Sequence, residues 1–172
     1  MDSTTLFAPL TVSSAQYPNA PQGYVATGDA YQPLDWSFVE SQLAAASFYW
    51  LNTVDAEAQP HAVPLWGLYF QGHICFDGHP QTRWLRNIRE QKQVVVHLPS
   101  AEQVVIVHGV VHLLEDAALK ADAWRDLDQL YRTKYGVPHG SPWVAVRPKK
   151  VLAWNGINLS TMTRWTVKKS EQ

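Results

Sequence analysis

Between residues 48 and 98, two apolar runs, a glycine-turned hairpin, a short basic helix and a further apolar run follow one another with no linker. Residues 48–54 (FYWLNTV) are aromatic and β-branched, the composition that fits a pleated, half-buried surface. A polar turn over 55–59 leads into residues 60–70 (PHAVPLWGLYF), which read as one long strand carrying Pro60 and Pro64. Each proline removes a ladder N–H, so this strand is expected at a sheet edge or at a bulge, where a ligand can approach. Gln71 and Gly72 turn the chain back into residues 73–76, and the loop Asp77-Gly78-His79-Pro80 ends where Gln81-Thr82-Arg83 opens a helix. A hydroxyl and a guanidinium at a helix start are suited to an anion, because the free N–H groups and the positive dipole end already favour one.

The rest of the chain continues the β pattern. Residues 94–98 and 102–114 form two strands, the second with Val104, Ile106 and His108 on one face and Val105, Val107 and Gly109 on the other. Leu119, Ala123, Leu127, Leu130 and Tyr131 recur at helical spacing up to Gly136, with Pro138 beyond. Strands are expected again at 143–146, 150–154 and 164–167. Near the start, Ser37 and Glu40 suggest a capping box for a helix that places Trp36, Val39, Leu43 and Ala46 on one side. Residues 1–33, rich in Ser, Thr, Pro, Gly and Ala without periodicity, read as an arm that is flexible alone or draped on a partner, ahead of one domain over 34–172. A mainly β fold with three flanking helices follows, because a doubly wound sheet needs a helix after nearly every strand. An antiparallel barrel with Greek-key connections satisfies the order.

Composition removes several function classes. With 14 Lys and Arg against 15 Asp and Glu, the net charge is −1, and no basic field large enough for nucleic acid is evident. The one cysteine, Cys75, cannot make an internal disulfide and reads as a buried thiol. No run reaches the ~20 apolar residues of a membrane span, so no membrane partner is expected and the expected location is cytoplasmic. The seven histidines supply no chelating cluster at motif spacing, so no metal site is expected. Eight tryptophans in 172 residues suggest that some line an interface or a planar ligand.

The stretch 49–98, together with Gln103-Val-Val-Ile-Val-His-Gly109 and the terminal Arg164-Trp165, resembles the pyridoxamine 5'-phosphate oxidase-like family of flavin and deazaflavin split barrels. The resemblance implies a six-stranded antiparallel Greek-key split barrel that binds FMN. It implies a homodimer with the cofactor at the interface, acting as an oxidoreductase on a small molecule or with a nicotinamide reductant. Carried over position by position, His61, Ala62, Val63, Pro64, Leu65 and Trp66 form the strand beside the isoalloxazine ring and meet its polar edge through their backbone. The ends of that strand are often basic in the family, whereas here they are His61 and Trp66. Phe76 and Asp77 match positions under the ribityl and phosphate region, where an acid repels phosphate unless it points away. Thr82 and Arg83 match the phosphate pair, the planar guanidinium offering two charge-assisted bonds, and Asn87 one turn on steadies the loop. Gln103 matches a glutamine that meets the ring across the dimer. Trp154 and Arg164 match the C-terminal residues that complete the site. No side chain is assigned a catalytic role, since the flavin carries the hard chemistry in such a protein. The alternatives are a deazaflavin reductase on the same fold, or a flavin- or haem-binding protein without turnover, with His61 or His79 as the haem ligand.

Overall fold

The computed structural model describes residues 7, 9–17, 31–114, 121–140, 142–157 and 159–169. Nine strands run in the order β1 (Leu10–Val12), β2 (Tyr49–Val54), β3 (Pro60–Leu65), β4 (Leu68–Phe70), β5 (His73–Asp77), β6 (Gln93–His97), β7 (Gln103–Leu114), β8 (Trp143–Asn155) and β9 (Thr163–Lys169). The helices are α1 (Trp36–Ala45) before β2, α2 (Arg83–Glu90) before β6 and α3 (Ala121–Tyr135) before β8. Leu119, expected at the head of α3, lies outside the described residues.

All pairs are antiparallel, and the sheet order is β1-β9-β8-β7-β6-β2-β3. β8 keeps β7 along one side, while its other side pairs with β5 at Trp143–Val146 and with β9 at Lys150–Ala153. The run 60–70 carries the sheet round from β2, which pairs β3, to β5, which pairs β4. This run is two strands rather than one, parted at Trp66-Gly67. That division adds one strand to the six expected. The outlying β9, expected at 164–167, and β1 lie beyond those six, so the sheet has nine strands among the described residues. The segments expected at 143–146 and 150–154 are, conversely, a single strand, β8, interrupted by a bulge.

Local chemistry accounts for the connections. Gln71 and Gly72 both hold positive φ (46° and 78°) between the paired residues Phe70 and His73, the signature of a two-residue hairpin whose twist matches its strands. α1 begins two residues earlier than a Ser37–Glu40 capping box requires. Asp35 is its N-cap and makes no side-chain cap bond, Ser37 lies within the first turn, and Glu40 instead accepts a bond from the Tyr69 hydroxyl at 3.4 Å. α3 ends at Gly136, whose φ of 72° and N–H bond to Arg132 form the left-handed stop.

Two clusters fill the two faces. Inside the barrel Leu51, Phe76, Val96, Val107, Val146 and Val151 pack with Val39 and Leu43 of α1 and with Trp84, Leu85 and Ile88 of α2. Outside, Leu127 and Tyr131 of α3 cover Cys75, Leu114, Trp143 and Ala145. Burial pushes the Cys75 thiol well above its usual range, so it is an inert core atom at neutral pH. In the stretch read as an arm, Leu10–Val12 pairs with β9 of the same chain, and Phe7 packs edge-on against Phe70 at 5.3 Å; residues 18–30 are not among those described. No described helix is long and apolar enough to cross a membrane.

Candidate functional site

β3 is an edge strand in this sheet, and its two prolines decide what that edge offers. Pro60 and Pro64 stand opposite Val54 and Trp50, two positions of the same parity in the ladder. In an antiparallel pair, residues alternate between exchanging both backbone bonds and exchanging none. A proline cannot donate, so the bonded positions are His61, Val63 and Leu65. The Thr53 hydroxyl, set 3.5 Å from the His61 carbonyl, agrees with that parity. The backbone of Pro60, Ala62 and Pro64 therefore faces outward as three carbonyl acceptors and one N–H, that of Ala62. Ala62, Pro64 and Trp66 are exposed, while Val63 and Leu65 pack on the core. The strand edge here is open and offers mainly backbone acceptors.

The N-terminus of α2 lies on the same side of the barrel, since α2 packs against β2 and touches β3. Its N-cap is Thr82, whose hydroxyl donates to the His79 carbonyl at 2.9 Å and leaves the first turn of N–H groups without a side-chain cap. Asn87 is buried and donates to the Thr53 hydroxyl at 3.0 Å, so it ties the helix to β2. Arg83 is exposed and makes a 3.3 Å ion pair with Asp55 in the β2–β3 turn, where the two side chains are 49% and 24% exposed. Asp55 also accepts the Gln59 and Glu57 N–H groups. The Gln59 bond above all, helped by the Arg83 guanidinium and opposed by slight burial, keeps its carboxyl below the ordinary range. Sequence spacing gave no hint of Asp55, because a contact across 28 positions leaves no local signal.

The other expected residues divide into two groups. Phe76 is fully buried, edge-on to Tyr49 at 5.9 Å, so its side chain serves the core and cannot contact a ligand. Asp77 points to the opposite face of the barrel, where its carboxylate accepts the Tyr131 hydroxyl at 3.0 Å and the Gly140 N–H. The acid in the expected phosphate region is thereby turned away from Arg83. Gln103, Trp154 and Arg164 lie on β7, β8 and β9, separated from β3 by β6 and β2. Gln103 is exposed at the start of β7, its N–H held by the Ser100 hydroxyl at 2.9 Å. Trp154 is half-buried, and the Arg164 guanidinium donates to Gln16 at 3.0 Å. A single chain does not bring this group to the β3–α2 group.

Two residues not expected from the sequence complete the end of β3. Tyr135 of α3 stacks on Trp66 at 4.7 Å with nearly parallel rings, accepts the Gly67 N–H at 2.9 Å, and sets its hydroxyl against the carbonyls of Gly67 and Ser47. Lys134 donates to the Gly67 carbonyl at 3.0 Å, and burial lowers its pKa. Trp66 is nonetheless 41% exposed and presents its free ring face at the end of the open edge. Of the two histidines named for haem, His61 is half-buried and His79 is exposed in its loop, with Nδ1 against the Gln81 N–H at 3.3 Å. Among the described residues no three His, Cys, Asp or Glu side chains converge.

A profile of the family described as pyridoxamine 5'-phosphate oxidase matches residues 37–155. No curated protein matches the chain. Solved structures do. An F420 reductase is 18% identical, covering 65% of this chain and 94% of its own, with a TM-score of 0.51. A pyridoxamine 5'-phosphate oxidase homologue from Listeria innocua is 17% identical, covering 70% and 94%, with a TM-score of 0.52. HutZ, the haem storage protein of Vibrio cholerae, is 14% identical, covering 69% and 92%, with a TM-score of 0.55. At these identities the likeness is one of fold.

Proposed function

The chain belongs to the pyridoxamine 5'-phosphate oxidase family, and from that membership we propose that it binds FMN at the open edge of β3 and acts as a flavin-dependent oxidoreductase. The observation that carries the reading is the meeting of an uncapped helix N-terminus, bearing Thr82 and Arg83, with a strand edge whose prolines leave it unpaired. The phosphate would lie at the first turn of α2, where N–H groups and the Arg83 fork offer donors to a dianion. The polar edge of the ring would lie along Pro60, Ala62 and Pro64, with Trp66 at its end. Bound there, flavin supplies hydride or electron transfer between a nicotinamide or small-molecule donor and an acceptor. Asn87 and Thr53 hold the helix at a fixed distance from the edge, and Asp55 holds the Arg83 side chain near the turn until a stronger anion replaces it.

Gln103, Trp154 and Arg164 would reach that ring from a second copy of the chain, which makes the active species a homodimer with two sites. The deazaflavin alternative shares the same ring edge, and the test separates the two. The purified protein, desalted after incubation with FMN, is expected to keep near-ultraviolet and blue absorbance bands that a reduced nicotinamide bleaches. Arg83→Ala is expected to weaken FMN affinity at least tenfold while leaving the unfolding midpoint nearly unchanged, since the residue is exposed. Retention of deazaflavin alone, or a Soret band with added haem, would replace the FMN reading. Equal FMN affinity in the Arg83→Ala protein would remove Arg83 from the site.

A further inference from the structure

Trp36 and Glu40 are four positions apart on α1 and so share one face of the helix. That helix packs against β4, where Tyr69 joins the inner cluster while its neighbours Leu68 and Phe70 join the outer one. The Tyr69 hydroxyl donates to Glu40 at 3.4 Å. The N-terminal strand closes the space from a third side. Its Leu10 stands so near the Gln71-Gly72 turn that a Cβ on Gly72 would lie 2.9 Å from the Leu10 Cδ1. Between these three elements lies a cavity of about 320 Å³, whose walls include Phe7, Leu10, Val12, Trp36, Glu40 and Tyr69. That volume is at the small end of the range for small-molecule sites.

Three aromatic rings and one carboxylate therefore border the same small space. The rings are fixed by packing: Trp36 meets Trp165 edge to face at 5.6 Å, and Phe7 meets Phe70 and His73 in the same way at 5.3 Å and 5.2 Å. The face of such a ring is electron-rich and attracts a cation, most strongly when the ring is tryptophan. Glu40 adds the one full charge among the described lining residues, and no Lys or Arg side chain opposes it there. The remaining walls are mostly hydrocarbon, which separates two kinds of cation. A primary ammonium carries three N–H donors that each need an acceptor, and burying them unpaired is costly. A methylated ammonium presents methyl groups in their place, so it needs only ring faces and a counter-charge.

We propose that the cavity between α1, β4 and β1 binds a methylated organic ammonium ion, with Glu40 balancing its charge and Trp36, Tyr69 and Phe7 bordering its methyl groups. No lining residue belongs to the β3 edge, to the first turn of α2 or to the group Gln103, Trp154 and Arg164, so the site needs no bound flavin. Choline is the probe, followed by NMR at constant ionic strength, and 3,3-dimethylbutan-1-ol is its uncharged isostere. Saturable binding is expected, with the choline methyl protons moved upfield by the ring currents and an affinity at least tenfold above that of the alcohol. Glu40 is exposed, and Glu40→Gln keeps an acceptor for the Tyr69 hydroxyl. That variant should lose at least fivefold in choline affinity at an unchanged unfolding midpoint, while Arg83→Ala binds choline as wild type does. Four outcomes overturn the proposal: an alcohol that binds as tightly as choline, methyl signals that do not move upfield, undiminished binding by Glu40→Gln, or loss of binding in Arg83→Ala.

Discussion

The Tyr135 hydroxyl meets the N–H and carbonyl of Gly67, at the kink between β3 and β4, and the carbonyl of Ser47 ahead of β2, so its deletion is felt at one end of the open edge. In Tyr135→Phe the ring still stacks on Trp66, but the Gly67 N–H loses its acceptor in a part-buried place. A buried donor left unpaired costs about 1–3 kcal/mol. Urea unfolding should show a loss in that range, and an unchanged midpoint would mean that water replaces the hydroxyl freely. His112 gives a second test at this scale, through pH. Burial first, then its cationic neighbours, bring its pKa down to about 4 from an ordinary 6.5. The unfolded chain therefore binds a proton that the folded chain refuses between those values. The stability contributed by the neutral imidazole is present above about pH 6.5 and is lost as pH falls toward 4. Thermal melts should fall over that window in wild type, and the slope should be shallower in His112→Gln. Equal slopes would show that other groups carry the acid sensitivity.

Elements were legible where their chemistry is local. The alternation of residues 102–114, the Gln71-Gly72 turn, the apolar side of α2 and the glycine stop of α3 each depend on neighbours within a few positions, and each forms as expected. What the sequence did not show depends on distant partners. The division of residues 60–70 at Trp66-Gly67 follows from Tyr135, nearly 70 positions away, and the unity of β8 follows from its ladder with β7. The edge position of β3, by contrast, was readable from Pro60 and Pro64, since a missing donor limits a strand whatever pairs with it. Their shared parity also guards the edge, because they leave mostly acceptors facing outward, and a second strand needs donors there. Pro64→Ala restores one N–H to the open edge. Its stability should fall by only about 0.5–1 kcal/mol through the freer unfolded chain. Light scattering at raised concentration should nevertheless show more self-association than wild type, and equal scattering would mean that the edge is guarded by something other than its prolines.

At the scale of the molecule, α3 covers one end of the outer sheet face, through Leu127 and Tyr131, and leaves the other end open. On that open part Trp50, Val95, His97, Ile106, Leu152 and Trp154 are half-buried, and the Trp50 ring stacks parallel to His97 at 6.2 Å. Apolar side chains arranged in rows across four strands are a surface that association would take out of water. The division of the site residues points the same way: β3 and α2 carry one part, β7 to β9 the other, and a two-fold copy laid across this face can join them. If so, the chain sediments at twice its 19.4 kDa mass, and Ile106→Glu, which sets a carboxylate in the middle of the face, yields monomers. The position is half-buried and lies outside the inner core, so the far-ultraviolet spectrum of the variant should match wild type. FMN retention should be lost along with the dimer, although no residue of the β3–α2 group has changed. A monomeric wild type would remove the two-chain site altogether. A monomeric variant that still holds FMN tightly would leave the β3 edge and α2 as a complete site in one chain, with Gln103, Trp154 and Arg164 released from any part in it.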